Sequence, residues 1–533
     1  SAIMAAYRAY QNNFGGIRMN WKRPLAPSTA ALTLGTALAA CGNPTAAAPD
    51  PTPTPAAEVQ SLSTTGSTVK APKYVFLFIG DGMSYPQIQS TSDFLGALND
   101  ADYRQAQPSL DDNGGAILDG PEYLNFMNFE AAGSAVTYDS NSFAPDSAST
   151  ATSISTGYKT YSGSINVDET GTISYETIAE QLHAQKGYSV GVITSVNLNH
   201  ATPAAFYAHQ ASRNDYYDIG LELIDSGFEY FAGGGLLKPT GAEGDQADLY
   251  ALAEKAGYHV VKTQAEAEQV TGGPVVIIDE HLADSDAMAY EIDRTDDMWA
   301  LADYVEKGIE VLSQDKDGFF MMCEGGKIDW ACHANDAAST IHDTQALADA
   351  VQVAIDFAKE HADETLILVT GDHETGGLTI GFAGTDYDTY LDLLESQKIS
   401  YAKFDSDYVS RYKEDKTSFE DVLKDVEALF GLKPQGEEGD KLVLTDYELE
   451  QLRAAYEKSV NGTAASQYEQ EEYVLYGTYE PLSVTLTHII NNKSGISFTS
   501  YSHTGLPVAV LAHGVNAGQF NGYYDNTQIY HKL

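Results

Sequence analysis

The stretch KYVFLFIGDG, Lys73 to Gly82, decides the fold. Every residue from Tyr74 to Ile79 is large and apolar, with no alternation between apolar and polar positions. Such a run is typical of a strand that is covered on both faces, as in a parallel sheet. Because ligands bind at the carboxyl ends of such strands, Asp81 is the first candidate functional residue.

Similar apolar runs recur along the chain, and amphipathic segments separate them. The runs are YSVGVITSV (188–196), FEYFAGGG (228–235), GPVVIID (273–279), DGFFMMCEGG (317–326), TLILVTGDH (365–373) and PVAVLAHG (507–514). Helical patterns cover 177–187 and 337–361. The alternation predicts an α/β fold with a mainly parallel central sheet and helices on both faces.

The composition excludes some classes of partner. The 533 residues carry a net charge of -46, and 43% of them are hydrophobic, enough for a large folded core. Such an acidic surface repels polyanions, so no nucleic-acid partner is expected. It would also repel phosphorylated substrates, unless the site holds cations of its own. The charge further favours a saline, halophilic habitat, where salt screens the repulsion.

The N-terminal region predicts export to the periplasm or the cell surface. Residues 1–40 include a basic pair, Lys22 and Arg23, and a short apolar stretch that ends in Leu38-Ala-Ala-Cys41. This tetrapeptide is similar to a bacterial lipobox, which predicts a lipid anchor on Cys41; an ordinary secretory leader is the alternative. Residues 42–70, rich in Pro, Thr and Ala, form a linker.

The remaining residues, 71–533, form the predicted catalytic domain. Within it, 383–490 is acidic, helical and rich in Tyr, and it interrupts the strand–helix rhythm. Two capping boxes, Thr417 to Glu420 and Thr445 to Glu448, predict helix starts there. We interpret 383–490 as an inserted subdomain that acts as a lid or as a partner surface.

Acidic and imidazole side chains follow several of the predicted strands. They are Asp81, Glu324, Asp372 and His373, and they are joined by Asp329, His333 and His503. Asp329 and His333 are four positions apart, so one helical turn brings them to the same face. Carboxylates and imidazoles without thiolates suit Zn²⁺ together with a harder Mg²⁺ site. The sequence therefore predicts a metal centre.

One stretch, FAPDSASTAT (143–152), concentrates small hydroxyl residues behind the pair Asp146-Ser147. Ser and Thr are mediocre in helix interiors but suit helix starts, where unpaired N–H groups need acceptors. The amides and dipole of such a start favour an anion. A simple capped helix without chemistry is the alternative.

These motifs resemble those of the metal-dependent alkaline phosphatases. FIGDGM, PDSASTAT, NHATPAAFYAHQASR, EGGKIDWACH, TGDHETGG and SHTG stand in that family's order and cover about 73–380 and 495–533. The resemblance implies an exported enzyme, commonly a homodimer. It also implies hydrolysis of small phosphate monoesters through a nucleophilic serine, with two Zn²⁺ ions and a third metal, usually Mg²⁺.

The resemblance assigns a role to each matching residue. Ser147, behind Asp146, matches the nucleophile, and Arg213 matches the arginine that binds two phosphate oxygens. The metal ligands that the motifs imply are Asp81, Asp372 and His373 for one zinc, Asp329, His333 and His503 for the other, and Thr202 and Glu324, with Asp81, for the third metal.

The chain departs from some family members at three positions. His200 and Trp330 stand near the third metal, where some members have Asp and Lys. His200 is therefore expected to coordinate that ion or to orient its water. Thr375 stands where some members have a second His, which predicts the loss of a hydrogen-bonding partner beside the zinc ligands.

The favoured function is an alkaline phosphatase with broad substrate tolerance, because no identified contact reads the leaving group. Two alternatives stay open. One is a phosphodiesterase or another hydrolase of the same superfamily, against which Arg213 argues, since it suits two free phosphate oxygens. The other is a zinc-binding surface lipoprotein without catalytic activity.

Overall fold

The structure, a computed structural model, describes residues 70–100 and 118–533. The predicted leader (1–40), Cys41 and nearly all of the linker lie outside these residues, so those hypotheses stay predictions. Within the described ranges, no helix combines the length and the apolar character needed to span a bilayer.

A ten-stranded sheet forms the centre of the molecule. Its strands are β1 (Tyr74–Gly80), β2 (Ala131–Val136), β3 (Ser189–Thr194), β4 (Tyr230–Gly233), β5 (His259–Val261), β6 (Val275–Ile278), β7 (Phe319–Gly325), β8 (Thr365–Gly371), β13 (Val508–Gly514) and β14 (Gly522–Asp525). Across the sheet they follow the order β14-β2-β13-β8-β1-β7-β3-β4-β6-β5. All neighbouring pairs are parallel except those of β13 with β2 and β8. The prediction of a mainly parallel sheet is confirmed.

Helices cover both faces of this sheet. Those of the core are Tyr85–Asn99, Ser147–Thr156, Ile178–Gln181, Ala201–Ala204, Tyr216–Asp225, Leu249–Ala256, Gln264–Glu268, Leu301–Leu312, Lys327–His333, Ala337–Glu360 and Thr527–Lys532. Two large apolar clusters fill the space between sheet and helices, one on each side.

The register of three central strands explains why the candidate residues meet. β1 lies between β7 and β8, and Gly80 pairs with both Gly325 and Gly371. All seven residues of β1 are buried, as its apolar sequence requires. Because the three strands end at the same level, Asp81, Glu324 and Asp372 lie at one edge of the sheet.

Residues 383–490 form helices around a third apolar cluster. The helices are Tyr401–Phe404, Ser410–Asp415, Phe419–Phe430, Asp446–Asn461, Glu469–Tyr476 and Pro481–Ser494. The cluster includes Phe94 and Ile341 of the core, so the segment packs on the sheet's helical layer. The capping box at Thr445 is confirmed, whereas Ser418, not Thr417, caps the helix that follows it.

Four short strands form two small ladders beside the main sheet. β9 (Glu374–Thr375) pairs with β12 (His503–Thr504), and β10 (Thr379–Ile380) pairs with β11 (Ile496–Ser497). The first ladder brings His503 opposite Thr375, next to the end of β8. In this way the chain returns to the sheet edge after the helical segment and adds an imidazole to it.

Candidate metal centre and active site

Three overlapping groups of side chains at the sheet edge could each hold a cation. The groups are Asp81, Asp372 and His373; Asp329, His373 and His503; and Asp81, His200 and Glu324. Within each group the ligand atoms lie within 4.8 Å of one another. Buried carboxylates so close together repel each other, and a bound cation offsets this repulsion.

The first group is held rigidly by neighbouring donors. The backbone N–H groups of Gly82 and His373 donate to Asp372 Oδ1 at 3.1 and 2.9 Å. Thr150 Oγ1 donates to Asp372 Oδ2 at 3.1 Å. His373 Nε2 lies 3.3 Å from Asp81 Oδ1, and all three ligands are completely or almost completely buried.

Two imidazoles at the second group have a defined orientation: that of its member His503 and that of the neighbouring His333, a predicted ligand that lies beside the three groups and not within them. His333 Nδ1 contacts the Tyr501 carbonyl at 2.6 Å, and His503 Nδ1 contacts the Pro145 carbonyl at 2.6 Å. Each carbonyl accepts a hydrogen bond from the Nδ1–H group, which leaves Nε2 of both rings free to bind a metal. The two Nε2 atoms are 3.1 Å apart and lie 3.4 Å from the Asp329 carboxylate.

The third group contains polar atoms that lack partners. Glu324 Oε1 and His200 Nδ1 are buried, and no hydrogen-bond partner exists for either among the described residues. Thr202 Oγ1 donates to Asp81 Oδ2 at 3.0 Å. The Trp330 ring packs edge-on against His200, with 5.9 Å between ring centres. Buried polar atoms without partners are costly, so they mark a place for an ion or its water.

The pKa values show the same charge imbalance. Burial, followed by the charges of neighbouring carboxylates, raises the pKa of both Asp81 and Asp372 to about 7. The same two causes raise the pKa of Glu324 well above its usual range. Burial also lowers the pKa of His373 to about 4, which keeps its ring neutral, the form that binds metals. The donor set therefore fits a cluster of divalent cations.

Ser147 lies beside the first metal-binding group. It begins the helix Ser147–Thr156, whose N-cap residue Asp146 accepts a hydrogen bond from the Ser149 N–H at 3.1 Å. Ser147 Oγ lies 3.0 Å from His373 Nε2 and 3.3 Å from Asp81 Oδ1. The Ser147 hydroxyl, at the N-terminus of a helix, thus contacts two candidate metal ligands.

The Arg213 guanidinium lies near the start of the Ser147 helix, where Asp146 holds it. Arg213 Nη1 lies 2.9 Å from Asp146 Oδ2, and Nη2 lies 3.2 Å from His200 Nε2. Gly163 N–H also donates to Asp146 at 2.9 Å. Although burial alone would raise it, the Arg213 charge and these donors lower the pKa of Asp146 to about 2. Asp146 therefore stays ionised and orients the guanidinium.

Two hydroxyl residues at the site have contacts that the sequence did not reveal. Thr150 donates to Asp372, as described above. Thr375 Oγ1 donates to Asp329 Oδ1 at 2.5 Å and lies 3.3 Å from His373 Nδ1. The prediction that Thr375 removes a hydrogen-bonding partner is therefore wrong, because the Thr375 hydroxyl itself donates a hydrogen bond to the candidate ligand Asp329.

An α/β sheet with clustered acids and imidazoles at the carboxyl ends of its strands suits the class of metal-dependent hydrolases. Comparison with known proteins gives the family. The family model described as alkaline phosphatase matches residues 72–533, and the chain belongs to this family of metal-dependent enzymes.

Individual relatives agree with this assignment. Alkaline phosphatase 3 of Bacillus subtilis is 30% identical over 465 residues, which cover 86% of this chain and 87% of that protein. The cold-active alkaline phosphatase of Shewanella sp. is 29% identical, with a TM-score of 0.66 over 86% of this chain and 98% of that one. The Thermus thermophilus alkaline phosphatase, 24% identical with a TM-score of 0.68, shares the fold.

Proposed function

We propose that the chain hydrolyses a broad range of phosphate monoesters through a phosphoserine intermediate on Ser147. The observation that carries the proposal is the position of Ser147 Oγ, within 3.3 Å of Asp81 and His373 and at a helix N-terminus. The membership in the alkaline phosphatase family supports it.

The proposed centre contains two Zn²⁺ ions and one Mg²⁺ ion. Asp81, Asp372 and His373 would hold one zinc, and Asp329, His333 and His503 would hold the other. Thr202 and Glu324, together with Asp81, would hold the third metal, with His200 as a ligand or as a partner of its water. When bound, such ions lower the pKa of a coordinated hydroxyl and stabilise negative oxygens.

The chain's own residues position the substrate. Asp146 and His200 fix the plane of the Arg213 guanidinium, and its remaining N–H groups would donate to the phosphate oxygens. The backbone amides at the start of the helix Ser147–Thr156 face the same anion. Because the phosphate is fixed at both sides, Ser147 Oγ stays close to phosphorus and in line with the leaving oxygen.

The reaction balances in two steps. In the first, an O–P bond forms to Ser147 Oγ while the ester O–P bond breaks. The serine's proton passes to solvent, and the leaving oxygen takes a proton from solvent and departs as the alcohol. In the second, water attacks the phosphoserine, which releases inorganic phosphate and restores the hydroxyl.

Hydrolysis of nitrophenyl phosphate by the purified, metal-analysed protein tests the proposal. We expect two zinc ions and one magnesium ion per chain and a preference for this monoester over bis(nitrophenyl) phosphate. Ser147→Ala should lose activity by several orders of magnitude while it retains its metals. Faster cleavage of the diester would instead support a phosphodiesterase. Zinc binding without any turnover by the wild-type protein would support the zinc-binding lipoprotein without catalytic activity.

Four properties of the whole protein belong to the same proposal. We propose export to the periplasm or cell surface, lipidation at Cys41, a homodimer, and a lid or interface role for 383–490. Globomycin-sensitive processing would support lipidation, whereas a mature N-terminus that lacks Cys41 would exclude it. Removal of 383–490 should disturb dimerisation or substrate access; a fully active dimer without it would contradict that role.

A further inference from the structure

Glu374 is a completely buried carboxylate beside the metal centre, and it belongs to none of the three metal-binding groups. It lies in the short strand β9, directly after the candidate ligand His373 and directly before Thr375. A buried carboxylate is costly unless hydrogen bonds or charges compensate it. The contacts of Glu374 therefore indicate what it does for the site.

Four neutral donors satisfy the Glu374 carboxylate. Gln87 Nε2 and the Leu378 N–H donate to Oε1 at 2.7 and 3.1 Å. The Gly377 N–H donates to Oε2 at 3.0 Å, and the Thr504 hydroxyl donates to the same oxygen. An ionised carboxylate accepts about four hydrogen bonds and donates none, so a carboxylate matches this set of donors and an amide does not.

The strand pair next to the candidate ligands is very short. β9 and β12 pair over two residues each, with Thr375 opposite His503 and Glu374 opposite Thr504. Strands usually have at least three residues, and contacts between opposite side chains stabilise a pair of strands. The hydrogen bond from Thr504 to Glu374 is such a contact. Glu374 thus holds the strand that carries His503 against the strand that follows His373.

The two imidazoles at this place depend on that register. The rings of His373 and His503 are stacked, with ring centres 3.7 Å apart and 24° between their planes. His373 Nε2 lies 3.3 Å from Asp81 Oδ1, and His503 Nε2 lies 3.4 Å from Asp329 Oδ1. A slip of β12 along β9 would move His503 away from Asp329, and it would separate a group whose ligand atoms lie within 4.8 Å of one another.

Glu374 also attaches the short strand pair to a core helix. Gln87, in the helix Tyr85–Asn99, donates to Glu374 and to the Thr375 carbonyl, the latter at 3.1 Å. The side-chain oxygen of Gln87 accepts from the Ser84 N–H at 3.0 Å, which fixes the orientation of the amide. One carboxylate therefore joins β9, β12 and this helix.

We propose that Glu374 is a positioning residue that aligns His373 and His503 for metal binding, and that it acts on His503 through Thr504. This inference rests on the proposed function, in which the two histidines bind zinc. Protein donors use the accepting positions of Glu374, so its role is to position ligands and not to join them. Groups that orient metal ligands in this way raise metal affinity.

The zinc affinity of the folded protein tests the proposal. In Glu374→Gln one oxygen becomes an NH₂ group, so in either orientation of the amide the Gly377 or the Leu378 N–H loses its acceptor. We expect the zinc dissociation constant, measured by competition with a chelator, to rise about tenfold or more. Thr504→Val removes the hydroxyl and should weaken zinc binding as well, whereas Thr504→Ser keeps the hydroxyl and should bind zinc as wild type does.

Asp279→Asn is the matched control. Asp279 is also a buried carboxylate, and it accepts hydrogen bonds from the Tyr304 hydroxyl and the His281 N–H, both at 2.7 Å. Neither partner is a candidate metal ligand. This variant should unfold at a lower urea concentration without a change in zinc affinity. Saturating zinc should restore most of the nitrophenyl phosphate hydrolysis of Glu374→Gln, which a general loss of structure would not allow.

The outcomes separate this inference from the proposed function. Wild-type zinc affinity in both Glu374→Gln and Thr504→Val, in a protein that still hydrolyses nitrophenyl phosphate, would overturn the inference alone. If Glu374→Gln does not fold, the affinity of Thr504→Val decides. Absence of both zinc binding and turnover in the wild-type protein would overturn the proposed function and this inference with it.

Discussion

At the scale of single residues, Thr375 connects two metal-binding groups through one hydroxyl. It donates to Asp329, and it also contacts His373, which belongs to both of those groups. A ligand whose oxygen is fixed by a donor loses less freedom when it binds a cation.

Thr375→Val removes this donor at nearly constant volume, and we expect zinc affinity to fall about tenfold or more. Thr375→Ser keeps the hydroxyl and should bind zinc nearly as well as wild type. Zinc retained per chain after equilibration with a chelator, measured by elemental analysis, checks this. Equal retention by the valine variant would show that the hydroxyl does not support the ligands.

His209 predicts a dependence of stability on pH. Although burial lowers it, the hydrogen bonds and charges of Glu180 and Glu222 raise the pKa of His209 to about 10. A histidine pKa raised on folding stabilises the protein fully below about pH 6.5, and this stabilisation is lost as the pH approaches 10.

His209→Gln should therefore cost about 2 kcal/mol more of the free energy of unfolding at pH 6 than at pH 10, after allowance for solvent screening. Urea unfolding of wild type and variant at both pH values measures the difference. A cost that is the same at the two pH values would mean that the charged pair does not contribute.

The sequence predicts that many of the candidate residues lie together, because they follow neighbouring strands. Asp81, Glu324 and Asp372 each come directly after, or at the end of, an apolar run, and register alone brings them together. The contacts of Thr150 with Asp372 and of Thr375 with Asp329 were not predictable in this way. Their partners are distant in sequence, and nothing in the local pattern fixes where a threonine side chain points.

At the scale of elements, Asp336 attaches the segment 383–490 to the core. This buried carboxylate caps the long helix Ala337–Glu360 through the Ser339 N–H. It also accepts hydrogen bonds from Gln397 Nε2 at 2.8 Å and from the Tyr401 N–H at 2.9 Å. One side chain thus caps the start of a core helix and positions two residues of the added segment.

Asp336→Ala should destabilise the protein by about 3 kcal/mol, because it removes a helix cap and leaves buried donors without acceptors. Asp421→Ala, which removes an exposed carboxylate paired with Lys424, is the control and should cost less than about 1 kcal/mol. Chemical denaturation measures both values. A cost for Asp336→Ala as small as that of the control would contradict this role.

Elements with strong apolar runs were predicted well, and weaker ones were not. β1 and β8 were evident because their sequences, YVFLFIG and TLILVTG, are almost entirely apolar, and every residue in them is buried. β2, with the sequence AAGSAV, was missed because small residues carry little strand propensity. Its place in the sheet depends on pairing with β13 and β14, a tertiary effect that no local pattern records.

At the scale of the whole molecule, the net charge of -46 predicts a response to salt. Self-repulsion destabilises a compact acidic chain, and in 1 M salt the screening length falls to roughly 3 Å. We expect the melting temperature, followed by circular dichroism, to rise between 0.05 and about 1 M NaCl. A monotonic fall over this range would argue against the proposed saline habitat.

The β10–β11 ladder has a consequence for how this chain and its relatives can differ. Thr379 pairs with Ser497 and Ile380 with Ile496, so more than a hundred residues leave the core and return at neighbouring positions. A tight turn could close the same gap without altering the path of either flanking strand. The segment between these two strands can therefore be exchanged, enlarged or trimmed in evolution while the residues at the edge of the sheet keep their positions.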